Sequence, residues 1–197
     1  MERLGIFGGT FDPPHRAHLV LAGESLRQIG LDRVLWVLTP DPPHKDAEIT
    51  PYPIRREMVL AAIAENPAFE LSEVELERPG PHYMADTVRI LQKRDPGSEW
   101  FLLLGEDSLR DLPAWHNPRR LLRTGPLVVM RRPGAEADLA ALETGLPGST
   151  GRVRFIAAPL LDISSNEIRA RVRRGEDILP LVPDPVHRII EREGLYL

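Results

Sequence analysis

His15 and His18 follow a glycine pair in the run Gly5-Ile6-Phe7-Gly8-Gly9-Thr10-Phe11-Asp12-Pro13-Pro14-His15-Arg16-Ala17-His18. Three positions apart at a helix start, two histidines share one face and can point toward one anion, such as a triphosphate. Gly8 and Gly9 let backbone approach a nucleotide closely, and exposed amides there can hold phosphate. Near the other end, Ile163-Ser164-Ser165-Asn166-Glu167-Ile168-Arg169 offers similar chemistry. Serines at a helix start cap free amides, such a terminus attracts anions, and Arg169 lies about one helical turn further on. Each feature also has a bland reading: a tight turn, a solvated histidine pair, a plain capping motif.

Other chemistries fit less well. No third His, Cys or carboxylate stands at a recognisable zinc spacing from the histidines, so no protein metal site is expected. The chain has no cysteine, which excludes disulfides and thiolate ligands. Gly5, Gly8 and Gly9 do not fit G-x-G-x-x-G, which argues against a dehydrogenase. A net charge of -4 argues against a broad nucleic-acid surface, though not against a local cationic pocket. Lys45 and Lys93 are the lysines among 25 basic residues, and Lys45 lies in a long loop.

The elements that must position these groups alternate, as in a parallel sheet with helices on both faces. Strands are expected at Arg3–Phe7, Arg33–Leu38, Phe69–Ser72, Trp100–Leu104, Leu127–Met130 and Val153–Ile156, several of them short and wholly apolar, as when a strand is covered on both faces. Helices are expected at Ala17–Gln28, Ile54–Glu65, Ala85–Lys93, Ser108–Leu112, Ala137–Glu143, Asn166–Arg173 and Pro185–Arg192. Ligands of such sheets sit at the carboxyl ends of the strands, where the Gly8–Gly9 turn must lie. Thr39 to Pro53 reads as a loop, and a loop this long is often a lid or binding loop. Gly145 to Gly151 reads as a surface turn. With 197 residues, one domain is expected. No apolar run approaches a membrane span, and the strand pattern starts at once, leaving no room for a signal peptide. Both point to the cytoplasm.

Gly8-Gly9-Thr10-Phe11-Asp12-Pro13 followed by His15-x-x-His18 resembles the signature of the nucleotidylyltransferase superfamily, whose H-x-G-H motif carries glycine where Ala17 stands. The resemblance implies a Rossmann-like, doubly wound α/β fold and adenylyl transfer from ATP. Ile163-Ser164-Ser165-Asn166-x-Ile168-Arg169 is similar to the family's I-S-S-T-x-I-R, with Asn166 for threonine. Pro42-Pro43-His44-Lys45 resembles the P-P-H-K loop of bacterial nicotinate-nucleotide adenylyltransferases. Tyr83-Met84-Ala85-Asp86-Thr87 is similar to their Y-T-x-D-T, and Gly105-Glu106-Asp107-Ser108-Leu109 with Leu112 and Trp115 to their G-x-D-x-L…L…W.

By that resemblance, Gly8, Gly9, Thr10, Phe11, Gly105, Asp107, Ile163, Ser164 and Ser165 bind ATP, and His15, His18, Lys45 and Arg169 act on its phosphates. Lys45, Met84, Thr87, Trp115 and His116 bind nicotinate mononucleotide, with Trp115 stacking on the pyridine ring and backbone at Met84 and His116 holding the carboxylate. Arg132, just before Pro133-Gly134, is a further candidate for the mononucleotide phosphate, its alternative being an exposed arginine after a strand. Magnesium arrives with ATP, since the sequence offers no carboxylate cage. A homo-oligomer is compatible with the sequence. Nicotinamide mononucleotide or phosphopantetheine as acceptor, and a nucleotide-binding module without catalysis, are the alternatives.

Overall fold

The structure, a computed structural model, describes residues 1–42, 49–131, 137–159 and 161–197. Its strands are β1 (Arg3–Gly9), β2 (Arg33–Leu38), β3 (Phe69–Ser72), β4 (Glu99–Gly105), β5 (Leu127–Met130) and β6 (Val153–Ile156). They form one sheet in the order β3-β2-β1-β4-β5-β6, and each neighbouring pair is parallel. The chain builds from β1 toward one edge and then crosses to β4 on the other side. The order therefore reverses between β1 and β4, and a crevice opens at their carboxyl ends. β1 continues beyond Phe7, where the sequence pattern ends it, because Gly8 and Gly9 pair with Val37 and Leu38. The glycines are thus the end of a central strand.

Helices α1 (Arg16–Ser25), α2 (Tyr52–Ile63), α3 (Met84–Arg94), α4 (Glu106–Asp111), α5 (Pro118–Thr124), α6 (Leu139–Gly145), α7 (Ser165–Arg173) and α8 (Asp184–Glu193) cover both faces. Strand side chains alternate between two cores, as the pleat requires. Phe7, Trp36 and Leu103 pack with Leu21, Met58, Ile168 and Ile189 on one face. Ile6, Val37 and Leu102 pack with Val88, Leu121 and Leu142 on the other. Helix α5 is absent from the sequence expectations. It is short, starts from a left-handed Asn117 with Pro118 in its first turn, and ends at Gly125. Those are start and stop signals that a weak apolar period concealed. The expected helix through Gln28 ends at Ser25 and widens into a π turn over Leu26–Gly30.

The turn expected at Gly145 to Gly151 is organised by one carboxylate. Glu143 accepts from the backbone N–H groups of Gly148 and Thr150 and from the Thr150 hydroxyl. These bonds, the Gly148 N–H first, hold its carboxyl down at about 2. A carboxyl depressed on folding stabilises above the ordinary carboxylate range, and that contribution is lost as pH falls through about 2. A side-chain NMR titration should therefore find Glu143 well below the exposed glutamates. A midpoint in the ordinary range would show the turn is not held this way.

Candidate active site

Two cavities adjoin at the switch point and share one wall, made by Gly8, Gly9, Thr10 and Ser108. The larger, about 460 Å³, is bounded by His15, Ala17, His18, Gly105, Asp107, Ile163, Ser164 and Ser165 among others. The smaller, about 270 Å³, is bounded by Thr39, Pro42, Glu75, His82, Tyr83, Met84, Trp115 and His116. The two histidine and serine motifs, 149 positions apart from His15 to Ser164, thus meet on one cavity.

The histidines are held by the first turn of α1. His15 is the N-cap, buried, and His18 is the third helical residue. Their rings stack at 3.5 Å between centroids, 16° from parallel. The His15 backbone N–H donates to His18 Nδ1 at 3.2 Å. Because Nδ1 accepts, a neutral His18 carries its hydrogen on Nε2, which is then a donor. Phe7 and Phe11 press on the same ring edge-to-face, at 5.6 and 5.1 Å. Phe11 has φ of 47°, a left-handed conformation unusual for a bulky residue, at the point where the chain leaves β1. His18 therefore has its tautomer and its orientation set before any ligand arrives.

Across the cavity, α7 begins at Ser164, whose Oγ accepts from the Glu167 N–H at 3.1 Å. Ser165 Oγ donates to the Pro13 carbonyl at 2.9 Å, and Arg169 Nη1 donates to the Asp12 carbonyl at 2.8 Å. Arg169 Nη2 also donates to Asn166 Oδ1 at 2.7 Å, so Asn166, which replaces threonine, orients this guanidinium. Ser164 caps its own helix, while Ser165 and Arg169 fasten α7 to the turn that precedes α1. That clasp brings two helix N-termini to one space, an arrangement suited to phosphate. Ile163, Ser164 and Ser165 stand on the cavity wall, and Arg169 stands behind it on the Asp12 carbonyl.

In the smaller cavity, Trp115 is half-buried and packs against the second core while lining the space. Tyr83 and His116 stack at 4.2 Å, 19° from parallel. Helix α3 starts at Met84 with no side-chain cap, so its first-turn amides are not capped by a side chain where the helix meets this cavity. The Met84 thioether lies over Gly8, where any Cβ would collide with its methyl group. Methionine in place of threonine therefore thickens the shared wall.

Thr87 requires a correction. It is fully buried and makes no part of either cavity wall. Its hydroxyl donates to Glu75 and meets the Tyr83 carbonyl and Arg78 Nη2. It supports the strand of chain that carries Tyr83 instead of facing a ligand. Lys45 and Arg132 lie outside the described residues. The site also contains groups that sequence reasoning missed: Thr39, Glu75, His82 and Ser108. Glu75 is 1% exposed despite its charge. Asp107 lines the larger cavity beside Gly105. Among the described residues no group of three or more His, Cys, Asp or Glu is placed to hold a metal, and none of the helices is long and apolar enough to cross a membrane.

A central-strand glycine wall, two histidines at one helix start and a capped second helix define a nucleotide-handling site of the nucleotidylyltransferase class. Residues 6–171 match the family described as cytidylyltransferase-like. A protein of Thermomicrobium roseum named "Probable nicotinate-nucleotide adenylyltransferase" is 43% identical over 197 residues, covering 100% of this chain and 92% of the relative. One of the same name from Salinibacter ruber is 41% identical over 194 residues, covering 98% and 97%. The chain belongs to this cytidylyltransferase-like family, among its nicotinate-nucleotide adenylyltransferases. Its fold is shared with a Plasmodium falciparum nicotinic acid mononucleotide adenylyltransferase complexed with NaAD, at a TM-score of 0.83 and 19% identity over 100% of this chain and 98% of that one.

Proposed function

We propose that the protein transfers the adenylyl group of ATP to nicotinate mononucleotide, giving the dinucleotide and pyrophosphate, in the cytoplasm. The observation that carries this reading is the pair of cavities that meet at Gly8–Thr10, one beside His15 and His18 and one beside Trp115. An acceptor phosphate in the smaller space and an ATP α-phosphorus in the larger would approach each other at that shared wall. The acceptor phosphate is already ionised, so it attacks in line without a general base, and rate comes from positioning and charge stabilisation. The likeness to full-length relatives named for this activity supports the choice of acceptor.

In this mechanism His15 and His18 donate to the ATP phosphates, the starts of α1 and α7 with Ser164 and Ser165 surround the triphosphate, and Arg169 adds its positive charge from behind that wall. Gly8, Gly9, Thr10, Phe11, Gly105 and Asp107 form the nucleotide wall, with Asp107 assigned to binding a ribose or orienting the nicotinate pocket. Trp115 stacks on the pyridine ring, and backbone at Met84 and His116 takes the carboxylate. Lys45 is assigned to the phosphates by resemblance, and Arg132, which precedes Pro133-Gly134 in the sequence, to the mononucleotide phosphate. Magnesium would enter as part of the ATP substrate. The carboxylate on the larger cavity's wall among the described residues is Asp107, too little for a protein cage.

Pyrophosphate release from ATP, with nicotinate mononucleotide, nicotinamide mononucleotide or phosphopantetheine as acceptor, tests the reading directly. Preference for the nicotinate form is expected. Turnover with another acceptor would discard the acceptor assignment, and ATP binding with no turnover would favour a binding module. Trp115→Ala should raise the KM for nicotinate mononucleotide by about tenfold or more while that for ATP stays close to wild type, since lost base–aromatic stacking costs about 1–3 kcal/mol. Equal rises in both would remove Trp115 from the pyridine site.

A further inference from the structure

Arg55 is a cation that the site described above does not use, yet it is 1% exposed and lies directly beneath it. Its Nε donates to the Thr50 carbonyl at 2.8 Å, and Nη1 to the carbonyls of Thr10 and Thr39, each at 2.9 Å. Nη2 donates to the Pro40 carbonyl at 2.8 Å. One planar fork thus joins the turn after β1, the entrance of the 39–53 loop and its exit. A lysine could not copy this, because its donors radiate from one nitrogen and cannot span carbonyls on opposite sides of a guanidinium.

The same brace reaches the chain's other end. Asp12, 3% exposed, accepts from the Thr50 N–H at 3.3 Å and from the Tyr196 hydroxyl at 2.6 Å. The Thr39 N–H in turn donates to the Gly9 carbonyl at 3.1 Å. Thr10 belongs to both cavity walls, whereas Thr39 and Pro42 belong to the smaller one alone. Arg55 therefore holds more of the smaller cavity than of the larger.

We propose that Arg55 is a positioning residue: it touches no substrate, but fixes the Thr10 and Thr39 backbone so that the smaller cavity is preformed for the mononucleotide. This rests on reading the protein as an adenylyltransferase with its acceptor in that cavity. The brace fixes backbone that would otherwise have to be ordered when the acceptor binds, so its loss falls on acceptor affinity first. Displacement of a binding wall by about an ångström costs up to about a hundredfold in rate.

The test compares wild type, Arg55→Lys and Tyr196→Phe in steady-state kinetics with each substrate varied, together with hydrogen exchange on peptides covering residues 8–13. Arg55→Lys, folded by circular dichroism, should raise the KM for nicotinate mononucleotide about tenfold and that for ATP less than about threefold. Amides at 8–13 should exchange faster than in wild type. A lower melting temperature with both KM values unchanged would mean a merely structural arginine and overturn the proposal, as would equal rises in both. If Arg55→Lys does not fold, Tyr196→Phe carries the test by removing one hydroxyl from the same brace. A smaller rise in the mononucleotide KM then supports the proposal, and an unchanged value overturns it. Wild-type protein inactive with nicotinate mononucleotide would sink the proposed function itself, an outcome separate from any ratio between variants.

Discussion

Replacing His18 by alanine should lower turnover by about a hundredfold or more, the loss expected when one preorganised donor to developing charge is removed. Alanine also removes the acceptor of the His15 N–H, so a fall could be blamed on the helix start. Asparagine separates the two effects. Its carboxamide oxygen can take the place of Nδ1 and keep the His15 N–H satisfied, but no donor then stands where Nε2 was. His18→Asn should therefore melt close to wild type while losing nearly as much turnover as His18→Ala. Pyrophosphate release measured on both folded variants decides it. Near-normal turnover in His18→Asn would remove His18 from phosphate chemistry.

Gly125→Ala should destabilise the fold by about 3 kcal/mol or more, lowering Tm by roughly 10 °C. Gly125 lies between α5 and β5, and a Cβ there would overlap the carbonyl oxygen of Trp100 on β4. The obstacle is backbone within the sheet, so neither side can yield without breaking strand pairing. The contrast is Gly8, where the obstacle is the end of the flexible Met84 side chain. Gly151, which has open space around its Cβ position, gives the control. Thermal melts of Gly125→Ala and Gly151→Ala should differ by most of the predicted shift. Equal melting would show that the α5–β5 junction relaxes freely.

Much of this architecture was legible because strands buried on both faces, as β2, β4 and β5 are, leave short apolar runs, and each expected strand is present. The histidine and serine motifs were legible because helix starts use local residue types. Their convergence on one cavity was expected from resemblance, and the reversal of strand order between β1 and β4 supplies its physical cause. Thr87 was misplaced because a hydroxyl near a binding segment looks the same in sequence whether it faces a ligand or a buried carboxylate. Helix α5 was missed because its capping signals stand beside too few apolar residues to show a period.

Arg55 and Arg56 show the division most clearly. They are identical neighbours in sequence, yet one is buried among backbone carbonyls and the other is an exposed partner of Glu73. Sequence by itself determined the strands, the helix starts and the residue types that can handle phosphate, because those depend on neighbours a few positions away. Only the tertiary structure decided which charged residues are buried and what they hold. Arg55, Glu75 and Tyr196 find partners at Thr10, Thr87 and Asp12, across distances along the chain that no local pattern records.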